Sequence, residues 1–146
     1  MKAEISFKRA TTEDKGFLLE LRKLSMGQHL AAAGINLSDD EHLQRINEFF
    51  QESFVIQYNG KSIGVVKLGL LPDRLHIRQL QILPEFHNGG IGSKVVTLVK
   101  QKASERLLPV TLNVLLKNPA KRLYDREGFI VEGQSDLEYK MRWQPS

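Results

Sequence analysis

The run Leu80-Gln81-Ile82-Leu83-Pro84-Glu85-Phe86-His87-Asn88-Gly89-Gly90-Ile91-Gly92-Ser93-Lys94-Val95 constrains this chain more than any other. Leu80, Ile82 and Leu83 suit a strand, and Pro84 ends its ladder because it has no N–H to donate. Gly89, Gly90 and Gly92 allow a sharp turn and a close approach of backbone to whatever lies above it. From Ile91 the apolar period becomes helical, with Val95, Leu98, Val99 and Ala103 in step. A helix entered through such a turn begins with unpaired N–H groups and a positive dipole end, which suits an anion. The bland alternative is a glycine-rich surface turn with no ligand.

Two common anion loops do not fit. The dinucleotide fingerprint needs a glycine where Val95 stands, and no acidic residue follows the next strand, Val110 to Val114, to hold a ribose. The only run resembling the end of a nucleotide P-loop is Gly60-Lys61-Ser62, and five residues before Gly60 stands Val55. Asn59-Gly60 is better explained as a tight hairpin turn.

At 146 residues the chain suits a single domain, 1–146, with one sizeable core. It has no cysteine, so disulfides, thiolate metal sites and a cysteine nucleophile are excluded. A net charge of +4 suits a polyanionic ligand. No helix carries the clustered basic stripe with interleaved aromatics of a nucleic-acid-binding face, which ranks that function low. The first residues lack the apolar segment of a signal peptide, and no apolar run reaches membrane-spanning length, so a cytoplasmic location is the expectation. His29 and His42 show no metal-ligand spacing, and no metal is expected.

Taken in order, Ile5 to Ala10 alternates as a strand. Thr11 or Thr12 caps a helix through Leu24, with Leu18, Leu21 and Leu24 on one face. Gly27 to Asn36 is either a continuation of that helix or a loop. Ser38-Asp39-Asp40-Glu41 is a capping box for a second helix marked by Leu43, Ile46 and Phe50. A hairpin follows, Phe54 to Tyr58 and Ser62 to Leu68, then a strand 75–83, a helix to about Glu105 and a strand 108–115. Asn118 caps a short helix with Pro119 at its first position, and Gly128 closes it. Phe129 to Val131 and Asp136 to Trp143 end the chain as a hairpin. The order β-α-α-β-β-β-α-β-α-β-β predicts an α/β fold: a mixed, mostly antiparallel sheet with helices on both faces and one right-handed parallel unit.

The second informative stretch is Asn118-Pro119-Ala120-Lys121-Arg122-Leu123-Tyr124-Asp125-Arg126-Glu127-Gly128-Phe129. It resembles a hallmark of the GNAT superfamily of N-acetyltransferases, Asn-x-x-Ala-x-x-Leu-Tyr-x-x-x-Gly-Phe, with Ala120, Leu123, Tyr124, Gly128 and Phe129 at the matching positions and Asn118 one residue nearer to Ala120 than the pattern has it. The turn His87-Asn88-Gly89-Gly90-Ile91-Gly92 after Ile82-Leu83-Pro84 resembles the acetyl-coenzyme A loop of the same superfamily. The departure is His87 where Gln or Arg is usual. Taken singly, Asn118 reads equally as a simple cap and Tyr124 as a core aromatic.

The resemblance implies acetyl-CoA as co-substrate, bound between the parallel strands 75–83 and 108–115, and direct transfer to an amine acceptor without metal or covalent enzyme intermediate. It implies that backbone groups from His87 through Asn88, Gly89, Gly90, Ile91 and Gly92 to Ser93 hold the pyrophosphate. Gln81, Ile82 and Leu83 would pair with the pantetheine arm, and Asn118 would reach that arm from the opposite side. Tyr124 would donate to the departing sulfur. Several members take the amine's proton with a glutamate on the strand before the loop. Here that strand carries no carboxylate, and His76 is its one side chain with an ordinary pKa near ~6.5. A water chain or an acceptor amine of low pKa would replace it, and His76 would then be structural. The alternative function is a non-catalytic acyl-CoA-binding regulatory module on the same fold. The acceptor's identity and the assembly state, a homodimer among the options, are not written in the residues.

Overall fold

The computed structural model describes residues 4–32, 34–87 and 89–145, the side chains of 26–32 excepted. Among the described residues seven strands and four α-helices follow the expected order. They are β1 (Ile5–Arg9), α1 (Lys15–Ala32), α2 (Asp39–Asn47), β2 (Ser53–Tyr58), β3 (Lys61–Leu70), β4 (Leu75–Ile82), α3 (Ile91–Glu105), β5 (Val110–Leu115), α4 (Lys121–Arg126), β6 (Ile130–Gln134) and β7 (Glu138–Trp143). The strand order is β1-β2-β3-β4-β5-β7-β6. The β4–β5 pair is parallel, and β1–β2, β2–β3, β5–β7 and β6–β7 are antiparallel.

The chain resolves into two compact units, Met1–Lys67 with Gln79–Gly89, and Leu68–Arg78 with Gly90–Ser146. In the first, Ala10, Leu18, Leu21, Ile46, Val55, Val65 and Leu83 form one buried cluster. Burying each large aliphatic there contributes about 1.5–3 kcal/mol. The capping box of α2 forms as expected, with Ser38 Oγ accepting from Glu41 N and Glu41 Oε1 accepting from Ser38 N, both at 3.2 Å. Asn59 and Gly60 both take positive φ, 51° and 86°, as a two-residue hairpin with a mirror-image turn requires.

The buried face of α1 differs from expectation. Leu18 and Leu21 are buried, but Leu24 is 50% exposed and Arg22 is buried in its place. Arg22 Nε donates to His42 Nδ1 of α2 at 3.0 Å, so this polar pair occupies the seam where a third leucine was expected. The first helix also runs on to Ala32, past Leu24. Between Thr11 and α1 lies a single 3-10 turn, Thr12–Asp14. Lys67, buried on β3, donates to the carbonyls of Arg45, Ile46 and Glu48 at 3.0, 3.1 and 2.7 Å and so satisfies the orphan C-terminal carbonyls of α2. Burial and the Arg22 charge push its pKa down to about 8.

In the second unit α3 buries Ile91, Val95, Val96, Val99 and Ala103. Val96 takes the place expected of Leu98, which is only partly covered. The strand after α3 begins at Val110 rather than at Leu108. Leu107 adopts φ 57°, and Leu108 N bonds back to Ala103 O at 2.9 Å, so these residues close the helix instead of joining the sheet.

Candidate active site

The strand β4 ends where the glycine turn begins. A Cβ on Gly64 of β3 would lie 2.4 Å from the Gln81 carbonyl oxygen and 3.2 Å from Ile82 Cα, so only glycine lets β3 press against this part of β4. Leu83 N donates to Ile63 O at 2.8 Å. Peptide groups alternate in direction along a strand, so the Ile82 N–H and C=O face the edge away from β3. The β4–β5 register covers only Leu75–Ile77 with Val110–Leu112, although β4 itself continues to Ile82.

The loop after β4 starts with a 3-10 turn, Pro84–Phe86, opened by Pro84. The Phe86 ring meets Tyr58 at 6.1 Å and the Lys61 ammonium at 5.5 Å. His87 stands where Gln or Arg is usual in the loops it resembles. Its Nε2 lies 2.7 Å from the Ile82 carbonyl oxygen. A carbonyl only accepts, so Nε2 carries a proton and donates. The ring therefore ties the loop back to the strand end. The expected contribution of Asn88 lies outside the described residues.

In the second unit Gly90 takes φ 79° as the N-cap of α3, with no side-chain cap and no acidic residue in the first turn. The first ladder bond there is Lys94 N to Gly90 O at 3.1 Å. The N–H groups of Ile91, Gly92 and Ser93 thus have no partner within the helix, which is the arrangement an anion requires. Gly92 is the second residue of the helix, so the left-handed turn falls on Gly90.

His76 on β4 pairs in register with Thr111 on β5, and its Nδ1 lies 2.7 Å from the Thr111 hydroxyl. Asn118 Oδ1 accepts from Ala120 N at 2.9 Å, but Asn118 is not the expected cap: the N-cap of α4 is Ala120, with no side-chain cap. The regular helix α4 starts only at Lys121, because the preceding bonds, Lys121 N to Asn118 O and Arg122 N to Pro119 O, are of the tighter 3-10 kind. Gly128 at φ 88° closes α4, and Phe129 N returns to Tyr124 O at 3.0 Å. Tyr124 is buried, its ring edge-to-face with Phe129 at 5.8 Å between centroids. Burial pushes its phenol up to about 12.

One participant escaped the sequence. The Glu127 carboxylate accepts from Ser93 Oγ at 2.5 Å and from Thr97 Oγ1 at 3.1 Å, and pairs with Lys100 Nζ at 3.2 Å. The hint was a polar stripe on α3, where Ser93, Thr97 and Lys100 recur at helical spacing and so share a face that wants an acceptor. Among the described residues no group of three or more His, Asp or Glu side chains is placed to hold a metal, and no helix is long and apolar enough to cross a membrane.

Residues 18–129 match the sequence pattern of the Acetyltransferase (GNAT) family. No relative among curated proteins matches the chain. Several solved structures share its fold at low identity. The PaiA N-acetyltransferase of Thermoplasma acidophilum, in complex with coenzyme A, is 18% identical over 99% of both chains, with a TM-score of 0.77. An acetyltransferase (GNAT family) from Bacillus anthracis is 16% identical over 99% of this chain and 97% of its own, with a TM-score of 0.76. N-acetylglutamate synthase from Neisseria gonorrhoeae, complexed with coenzyme A and N-acetyl-glutamate, is 14% identical over 100% of this chain and 36% of its own, with a TM-score of 0.71.

Proposed function

Because the chain belongs to the GNAT acetyltransferase family, we propose that it transfers an acetyl group from acetyl-CoA directly to a primary amine of a small molecule or peptide. The observation that carries this reading is the open start of α3, where a left-handed Gly90 and an acid-free first turn leave three N–H groups for a diphosphate. Gly89 and the backbone from His87 lead the chain into that turn. The pantetheine arm runs beside Gln81, Ile82 and Leu83 at the end of β4, and Asn118 is the side chain we assign to the same arm. Since Leu83 N is taken by β3, the Ile82 N–H is the donor we assign to the thioester carbonyl.

The step is a single addition and elimination. The amine nitrogen bonds to the thioester carbon, the C–S bond breaks, and an amide and coenzyme A thiol leave. His76 or a water chain takes the amine's proton. Tyr124 faces the sulfur. A phenol pushed up to about 12 is a poor donor of a whole proton to a thiolate, whose pKa in water is near ~8.5. Tyr124 therefore keeps its proton and stabilises the developing thiolate by a hydrogen bond, and solvent supplies the final proton.

The second reading, a non-catalytic acyl-CoA-binding module, draws on β4, whose sequence Leu-His-Ile-Arg-Gln-Leu-Gln-Ile holds no carboxylate base. A thiol-release assay with acetyl-CoA against amines, polyamines, amino acids and peptides separates the two. Turnover with any acceptor supports the enzyme. Tight coenzyme A binding with no thiol release over the whole panel would support the module instead.

A further inference from the structure

Glu127 follows Tyr124 by three residues, yet its side chain reaches α3 rather than solvent. Oε2 accepts from Ser93 Oγ at 2.5 Å and Oε1 from Thr97 Oγ1 at 3.1 Å. Lys100 Nζ lies 3.2 Å from Oε1 and also donates to the Glu127 main-chain oxygen at 2.8 Å. The side chains of Lys100 and Glu127 are only 19% and 14% exposed, so this is no solvated surface pair. Burial would raise the carboxyl's pKa. The hydrogen bonds from Ser93 and Lys100, the Lys100 charge and the Thr97 hydroxyl outweigh it and hold the pKa below the usual carboxylate range. Thr97 and Lys100 would suffice to dock two helices. Ser93 is different, because it stands in the first turn of α3, among the N–H groups left for the diphosphate.

We propose that Glu127 is a positioning residue, a latch that holds α4 at a set distance from the first turn of α3 and thereby aligns the Tyr124 hydroxyl with the coenzyme A sulfur. The proposal rests on the acetyl-CoA reading above. The diphosphate and the sulfur lie at opposite ends of the pantetheine arm, so their two anchors must keep a constant separation. A helix of six residues cannot set its own orientation. Only packing and cross-links from neighbours do that, and Glu127 supplies three contacts to one face of α3. The latch is needed for alignment rather than affinity, since the backbone N–H groups of α3 remain when it is removed. A misplacement of about 1 Å between reacting groups costs on the order of 10²-fold in rate.

The test is steady-state kinetics with acetyl-CoA, and coenzyme A binding by calorimetry, for Glu127→Ala, Glu127→Gln and Ser93→Ala, each made also in a Tyr124→Phe background. In the parent background kcat should fall roughly 10-fold or more for Glu127→Ala, while the dissociation constant for coenzyme A moves less than about threefold. Glu127→Gln keeps an acceptor for Ser93 and should recover part of the loss. In the Tyr124→Phe background the same changes should cost almost nothing further, because the group they align is gone. A merely structural pair would instead give the same fold-loss in both backgrounds, and that additivity would overturn the latch. Wild-type kcat in folded Glu127→Ala would overturn it too. Should Glu127→Ala fail to fold, Ser93→Ala removes one hydroxyl and carries the same comparison. If the wild-type protein releases no thiol with any amine, the acetyl-transfer reading fails and the latch with it. Wild-type turnover with additive double variants sinks the latch alone.

Discussion

In the proposed reaction Tyr124 is the residue on which the chemistry depends most. It is buried, and its phenol, at about 12, stays protonated over any working pH. A hydrogen bond that strengthens only as charge reaches sulfur acts on the transition state, so Tyr124→Phe should cut kcat on the order of 10²-fold and leave KM for acetyl-CoA nearly unchanged. Wild-type turnover in a folded variant, with chemistry rate-limiting, would return Tyr124 to core packing. His76→Ala should erase the acid limb of the pH–rate profile while sparing cofactor affinity. An unaltered profile would leave the proton to water. His42 governs stability rather than rate. Burial first, then the Arg22 charge, lowers its pKa below 6.5, and its Nδ1 must stay unprotonated to accept from Arg22 Nε. A depressed folded pKa means that its contribution is complete above pH 6.5 and is lost as the pH falls from there toward the folded value. The melting temperature should therefore drop on acidification through that window, and His42→Gln, which keeps an acceptor without titrating, should lessen the drop. Equal acid sensitivity in both proteins would assign the loss to other groups. Tyr124 and Asn118 are legible as residues because their motif is contiguous. Glu127 is not, because its partners lie 27 to 34 residues away and only packing selects them.

Among the elements, the start of α3 carries the anion argument. Glycine spacing alone weights Gly90 and Gly92 equally, and the backbone distinguishes them. Gly90 holds φ 79° with open space where a Cβ would stand, so inside the protein a side chain there costs only the left-handed backbone, about 1–2 kcal/mol. Any further loss must come from the ligand's side. Gly90→Val should fold with a modestly lower melting temperature and bind coenzyme A roughly 10-fold or more weaker. Calorimetry on the folded variant decides it, and unchanged affinity would remove the diphosphate turn from the site. The capping box of α2 and the Asn59-Gly60 hairpin were legible for the same reason, since each is settled by neighbouring residues. The buried face of α1 was not. Helical spacing nominated Leu24, but the Arg22–His42 bond turns the seam two residues earlier.

For the whole molecule the ligand to test is the one we propose, acetyl-CoA. If it binds as proposed, a concentration of about 100 times its dissociation constant adds about 2.7 kcal/mol. That amounts to roughly 5–10 °C in melting temperature for a chain of this size. ATP shares the adenosine and phosphates but lacks the pantetheine arm, and should stabilise much less. Equal shifts from both would argue that phosphate alone is recognised. The element order, the mixed sheet with its parallel β4–β5 pair, the glycine entry to α3 and the Asn118–Phe129 motif can all be read from the residues. Each depends on periodicity, turn chemistry or contacts within a few positions. What the folded chain alone settled is which distant groups meet. Lys67 closes the end of α2, His87 bonds the Ile82 carbonyl, and Glu127 joins α4 to α3. Such pairs form because burying a polar group without a partner is costly, and which partner comes within reach is decided by how whole elements pack.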